Sequence, residues 1–380
     1  MQHFDTIVIG VGAMGSAALW QLARRGQRVL GLERFDLGHM MGSSHGLNRI
    51  IRLAYFEHPS YVPLLRRAYE LWRETERLAE EQLLFVTGGL DAGRPDGRVV
   101  DGSLRACREH ALAHEVLSGP DIARRFPGYR LPADYVAVYQ PDAGFLASER
   151  AIMVHAALAT AAGAEIHARE TVLAVEPTGG RVVVSTDRSR YEAGQVILSA
   201  GAWISDLVPS LTDKAVPERQ VLGWFQPRNP RLFAPDMFPV SNLLTDLGHF
   251  YQFPCWGLPG MKIGRYNHLR EQGHADSLSR EPTPADEEAL RAAIRSFFPE
   301  ADGPTLRLAV CLFTNTPDEH FIIDRLPDHP EIVVASPCSG HGFKFASVIG
   351  EILADLVCKG STPLDLSLFK YERFAPGPSS

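Results

Sequence analysis

The stretch DTIVIGVGAMGSAALWQLARRGQRVLGLE, Asp5–Glu33, decides the fold. DTIVIG is short, apolar and rich in β-branched residues, as in a buried strand. VGAMGSAALWQLARRG carries Ala17, Ala18, Leu22 and Ala23 at helical spacing and closes near Gly26. QRVLGLE then reads as a second strand, which completes a βαβ opening. The turn inside it, Gly10-Val11-Gly12-Ala13-Met14-Gly15, is G-x-G-x-x-G. Gly10 permits the tight turn, Gly12 lets backbone reach a pyrophosphate at the helix N-terminus, and Gly15 allows close helix–strand packing. Glu33 ends the second strand 23 residues after Gly10, where a carboxylate can bind a ribose hydroxyl. The motif by itself could be a structural turn. With strand, helix, second strand and acid all in register, it points to a dinucleotide, FAD or NAD alike.

Composition bounds what such a domain can serve. The chain has 380 residues, 45% of them hydrophobic, enough for two or three domains. Lys and Arg number 38 against 45 Asp and Glu, a net charge of −7 with no basic block, which argues against nucleic acid or an anionic membrane as partner. Cys107, Cys255, Cys311, Cys338 and Cys358 form no C-x-x-C pair, so neither a disulfide framework nor a metal site is expected, and a reducing compartment is the simplest setting. The start, MQHFD, lacks the basic residues of an export signal, and no apolar run is long enough for a membrane span. The expectation is a soluble cytoplasmic protein.

Further along, Tyr61 to Leu84 reads as an amphipathic helix, and 85–145 as a Gly-, Pro- and charge-rich region with short strands. The segment 146–166 reads as a strong helix that ends at Gly163 and enters a strand, followed by strands in RVVVSTD and QVILSAGAW. Residues 213–316 read as short strands with one helix near 285–298, and a last helix spans about 346–358 before an APGPSS tail expected to fray. This alternation predicts a nucleotide domain built from 1–84, 146–212 and 317–380, interleaved with a second sheet domain from 85–145 and 213–316.

Five segments could carry chemistry. GSSHGLNRIIR (42–52) is a polar loop running into Arg49 and Arg52. It reads either as a solvated loop before a charged helix, or as a buried arginine in need of a phosphate or carboxylate partner. SGHGFKF (339–345) precedes the last helix, and its glycines and Lys344 suit a cation in an aromatic pocket better than a surface turn. VILSAGAW (196–203) ends a strand in small residues that can pack on a cofactor. Lys262, in GMKIG, reads from spacing alone as an exposed edge-strand lysine. Cys311, in RLAVCLFTNTPDEHFIID (307–324), reads by itself as a small core residue.

Taken together these segments resemble the monomeric sarcosine oxidase and N-methyltryptophan oxidase family, within the wider D-amino-acid-oxidase-like flavoproteins. GVGAMG resembles its FAD fingerprint, GSSHG…RIIR its flavin-side loop, AVC…T…DEHFIID its flavin-attachment segment and SGHGFKF its closing loop. The resemblance covers nearly the whole chain. It implies an α/β and α+β fold, with a Rossmann-like FAD-binding domain interleaved with a substrate domain on a large, mostly antiparallel sheet. It implies FAD held by Gly10, Gly12, Ala13, Met14, Gly15, Glu33, Ser43, Ser44, Arg49, Ala200, Gly201, Trp203, Gly340, Gly342, Phe343 and Lys344, and joined covalently through Cys311.

By the same resemblance Arg52 and Lys344 grip a substrate carboxylate, and Tyr251 and Phe313 line the amine pocket. His45 and Arg49 raise the flavin's electrophilicity, and Lys262 stabilises superoxide as O2 is reduced. The implied activity is that of a monomer oxidising a secondary α-amino acid to an imine, with O2 reduced to H2O2. A dehydrogenase serving an electron carrier and a non-catalytic flavin redox sensor are the alternatives. Two positions depart from the family's pattern. Phe313 stands where sarcosine oxidases have a tyrosine, and Tyr266 where they have a histidine, with His268 two residues on. Both border the substrate, so the cofactor and oxygen chemistry carries over more fully than the substrate.

Overall fold

The computed structural model describes residues 1–374; the tail at 375–380 lies outside them. Gln2–Ile9 forms the centre of an eight-stranded sheet, parallel to Val29–Leu32 on one side and to Arg190–Leu198 on the other. Arg190–Leu198 divides its far edge. Its first half pairs antiparallel with Arg181–Thr186, and its last residues pair parallel with His329–Ser336. Glu165–His167, Val172–Thr178 and Ile322–Leu326 complete this sheet. The helix Ala13–Ala23 packs against Ser148–Ala161 and Ala346–Lys359, and its buried Leu19 and Leu22 join one continuous core with Ile349 and Leu353.

A second eight-stranded sheet runs in the order Thr305–Asn315, Val216–Phe225, Met261–Arg265, Gly248–Phe253, Val240–Thr245, Gly89–Gly93, Val136–Gln140, Glu115–Ser118. All its pairings are antiparallel except Gly89–Gly93 with Val240–Thr245. The helix Pro284–Phe297 covers it, begun by a capping box in which Thr283 and Asp286 satisfy each other's backbone N–H groups. A small third sheet of Asn48–Ile51, Gly144–Ala147 and Leu84–Val86 joins the two halves.

Two local features differ from the sequence expectation. The RIIR segment lies in a strand, Asn48–Ile51, and not in a helix with a charged face: two β-branched isoleucines suit the pleat, and Gly144–Ala147 supplies the ladder. The 85–145 region holds two helices besides its strands, Arg98–His110 and Gly119–Arg125. The first buries Val99, Val100, Ser103, Ala106 and Cys107 at helical spacing, a stripe hidden in sequence by Gly102 and by the charged residues around it. Among the described residues no helix is long and apolar enough to cross a membrane.

Candidate active site

One long cavity runs from the Gly10–Gly15 turn to an aromatic end bounded by Tyr251, Tyr266 and Phe313. Gly10 sits at φ +89°, and a Cβ there would lie 2.5 Å from the Ser199 carbonyl oxygen, so only glycine makes this turn. Gly12 differs: a Cβ on it would meet nothing closer than Ser44 Oγ at 3.9 Å, because that side faces the cavity. The helix Ala13–Ala23 starts there and directs its unpaired N–H groups at the same space. Glu33 is held rigidly, its two oxygens accepting from Val11 N–H and Phe35 N–H, both at 2.9 Å. Ala200, Gly201 and Trp203 form the opposite wall. Ser43 lines the cavity with a buried hydroxyl that has no protein partner. A glycine-walled channel with a fixed carboxylate and an orphaned hydroxyl fits a dinucleotide such as FAD.

The loop 42–48 forms the bend of the channel. Glu149, in the first turn of Ser148–Ala161, accepts from Gly46 N–H at 2.7 Å and Leu47 N–H at 3.0 Å, which pins the loop. Arg49 folds back to donate to Ser43 O at 2.7 Å and Asn48 O at 2.9 Å, and it lines the cavity. His45 is buried with neither ring nitrogen partnered. Burial, reinforced by Arg49, drives its pKa down to about 3, so its ring is neutral.

Cys311 lies on the edge strand Thr305–Asn315, whose open side is covered by the loop, since Leu312 N–H donates to Gly42 O at 3.3 Å. The thiol is buried in a cluster with Trp224, Tyr251 and Phe253, while its neighbours Leu312, Phe313 and Thr314 line the cavity. Burial pushes the thiol pKa up; Arg49, Lys262 and Arg280 oppose that by favouring the thiolate. Nothing in the sequence singled out Arg280.

Lys262 corrects the edge-strand expectation. Met261–Arg265 is an interior strand with partners on both sides, and Lys262 is 1% exposed. Its Nζ donates to Gly46 O at 2.7 Å, Asn48 O at 2.7 Å and Asn48 Oδ1 at 2.8 Å, over the ring of Phe253. Burial, with Arg49, presses its pKa well below the ordinary lysine value. All three of its partners are acceptors, which is the bonding pattern of an ammonium.

At the aromatic end, His249 stacks on Tyr266 with ring centroids 4.3 Å apart, and Tyr266 meets Phe313 at 5.8 Å. Lys344 lines the cavity here. It donates to His341 O at 2.7 Å and lies 3.4 Å from Tyr55 Oη, with its pKa lowered to about 7 by burial and by Arg52.

Arg52 packs on the same Tyr55 ring, 4.4 Å from its centroid, and is not one of the cavity's lining residues. Its Nη2 donates to Glu57 at 2.9 and 3.0 Å, its Nη1 to Ala54 O at 3.1 Å, and its Nε lies 3.5 Å from Asp91 Oδ1. Glu57 and Asp91 were not found from sequence. Glu57 sits in no periodic pattern, whereas Asp91 left a signal in GGLDAG, a lone acid in an otherwise uncharged strand.

Comparison with known proteins gives a consistent result. Residues 5–356 match the family model described as FAD dependent oxidoreductase. The chain is 42% identical to a monomeric sarcosine oxidase of Streptomyces avermitilis, covering 99% of both chains. It is 35% identical to an N-methyl-L-tryptophan oxidase of Escherichia coli, over 98% of this chain and 99% of that one. Among solved structures it is similar to NikD, an unusual amino acid oxidase essential for nikkomycin biosynthesis, with a TM-score of 0.84 at 28% identity over 97% of this chain and 98% of that one. A glycine oxidase from Geobacillus kaustophilus shares the fold, with a TM-score of 0.81 at 19% identity over 97% of this chain and 98% of that one.

Proposed function

The chain belongs to the family of FAD-dependent oxidoreductases that holds the monomeric sarcosine oxidases and N-methyl-L-tryptophan oxidases, and we propose that it is an oxidase of a secondary, N-alkyl α-amino acid. One observation carries this reading: the cavity that begins at a dinucleotide turn ends in an aromatic pocket holding the cation of Lys344. When bound along that cavity, FAD supplies two-electron oxidation of an amine and passes the electrons to O2.

The protein's own groups divide the remaining work. Gly10, Gly12, Ala13, Met14 and Glu33 hold the nucleotide end, with Gly15 packed against the turn behind them; Ser43, Ser44, Arg49, Ala200, Gly201, Trp203, Gly340, Gly342 and Phe343 line the rest of the channel. Covalent attachment through Cys311 Sγ is part of the proposal; burial raises the thiol's pKa, and Arg49, Lys262 and Arg280 work against that rise. Lys344 attracts the carboxylate of the substrate, while Tyr251, Tyr266 and Phe313 pack its apolar part and exclude water. His45, kept neutral by burial, adds no charge beside Arg49. Lys262 offers a positive charge fixed before the reaction, the kind that stabilises O2 as it takes its first electron. The net reaction takes secondary amine and O2 to imine and H2O2, and water then hydrolyses the imine. The same proposal makes the enzyme a monomer of the cytoplasm, in keeping with five unpaired cysteines.

A panel of N-methyl amino acids and amines, assayed for peroxide, tests the proposal: peroxide should form with at least one carboxylate-bearing secondary amine. Electrons passing only to an artificial carrier would make the protein a dehydrogenase. A flavin that no amine reduces would make it a non-catalytic flavoprotein.

A further inference from the structure

The segment His274–Arg280 lies between the strand Met261–Arg265 and the helix Pro284–Phe297, and it reaches across to the nucleotide half of the molecule. Asp276, near its middle, receives one side chain from each wall of the dinucleotide channel. Arg34, next to Glu33, donates through Nη1 and Nη2 to its Oδ2, each at 3.1 Å. Trp203, on the opposite wall, donates through Nε1 to its Oδ1 at 2.8 Å. Both donors line the cavity, and Asp276 does not. The two arms also touch each other. The Arg34 guanidinium lies 5.2 Å from the Phe35 ring and 5.5 Å from the Trp203 ring, and those rings are 5.4 Å apart. Burial by itself would raise the Asp276 carboxyl, but Trp203 and Arg34 hold it below its ordinary range, so it is ionised.

The rest of the segment is seated on the same walls. His274 Nε2 lies 2.9 Å from Oδ1 of Asp206, another channel residue. Ala275 is buried in a cluster with Ala202 and Leu312. Arg280 ties the far end, donating through Nη2 to Met41 O and Ala275 O, both at 3.0 Å. A lone exposed ion pair is worth little. Here one carboxylate takes a donor from each of two walls that face a common space, so losing it frees both.

We propose that Asp276 is a positioning residue for the cofactor: by drawing Arg34 and Trp203 together it holds the two walls of the channel closed on bound FAD and slows its release. This rests on FAD as the occupant of the channel, and on neither the amine substrate nor the covalent link. The latch is built from the substrate half of the molecule and closes on the nucleotide half. Its strength lies in a charge pair and a charge-assisted hydrogen bond that share one acceptor group, so the two arms are coupled.

The test uses FAD-loaded protein carrying Cys311→Ala, so that retention is noncovalent whether or not the wild type forms the link. Release of FAD on dilution, read by flavin fluorescence, is compared for that parent and for Asp276→Ala, Asp276→Glu and Arg34→Met added to it. Asp276→Ala should speed release about tenfold, the scale of one half-exposed ion pair and one hydrogen bond to a charged group. Arg34→Met loses one arm and should speed it about threefold, with little further effect once Asp276 is alanine. Asp276→Glu keeps the charge and should recover most of the retention. Release from Asp276→Ala within roughly twofold of the parent would overturn the proposal. So would a faster release that Asp276→Glu does not rescue and Arg34→Met does not reproduce, since the acid would then serve the fold alone. Should Asp276→Ala fail to load FAD, Arg34→Met decides by the same twofold limit. A parent that takes up no FAD would sink the FAD reading together with this one. Failure of the amine panel to give peroxide would sink the oxidase reading and leave the release rates to decide the role of Asp276.

Discussion

Lys262 Nζ donates to both the backbone oxygen and the side-chain Oδ1 of Asn48, at 2.7 and 2.8 Å. A residue in the interior of the large sheet thereby anchors the first residue of the small sheet, and with it the loop that bends the channel. The lysine is thus both a mechanical tie and a fixed charge, and the two roles can be separated by experiment.

Lys262→Met keeps an unbranched side chain, one atom shorter, and removes the charge. Anaerobic reduction of the flavin by amine should proceed near the wild-type rate, while reoxidation by O2 should slow by about 10²–10³-fold, the scale of a lost preorganised electrostatic stabiliser. Gly46 O keeps the Asn48 N–H and Asn48 O keeps Arg49 Nη1, so Asn48 Oδ1 is the acceptor left buried and unpaired, at a cost of about 1–3 kcal/mol of stability. Stopped flow and thermal unfolding report the two effects independently. Lost stability with unchanged reoxidation would leave Lys262 a structural tie only.

Cys311 should carry the flavin. Acid-precipitated protein should keep its yellow colour in the pellet, and Cys311→Ala should release it while still folding, at a cost of about 1 kcal/mol for one small buried side chain. Colour found wholly in the supernatant of wild type would reject the covalent link and leave FAD binding intact.

Anion binding at the aromatic end should weaken as pH rises. The pKa of Lys344 is lowered to about 7, so its charge is present below that pH and lost above it. Phenylacetate affinity should be nearly flat below pH 6 and should fall by up to about tenfold per pH unit above 7. His45 and His341, lowered to about 3 and about 4, stay neutral throughout and contribute no slope. Lys344→Met should bind weakly at every pH. A slope that persists in that variant would assign the titration elsewhere.

Gly340 should tolerate no side chain. It sits at φ +76°, and a Cβ there would lie 2.4 Å from the Phe313 ring. Gly340→Ala should lower stability by about 1–3 kcal/mol through backbone strain and clash. Adding Phe313→Ala should recover only the part due to the clash, so thermal unfolding of the single and double variants separates the two. A wild-type melting temperature for Gly340→Ala would show that the loop can re-form around a side chain.

The sequence by itself determined whatever depends on neighbours along the chain. Strand, turn, helix and strand from Asp5 to Glu33 are contiguous, so their periods and glycines could be read in place, and the ordered segments through Phe345 carried the family resemblance. Tertiary structure decided which charges are buried and what they face. A lysine in GMKIG looks the same at an edge or in the interior; it is interior because its acceptors, Gly46 and Asn48, come from 216 and 214 residues away. Arg52 reads in sequence as a lone cation, and only the fold brings Glu57, Asp91 and Gln140 around its segment, the last two from remote strands. The helix Arg98–His110, set among Gly, Pro and charged residues, supplies Ser103 to Asp91. Burying a charge costs several kcal/mol unless partners surround it, and those partners are assembled only when distant segments meet in the fold.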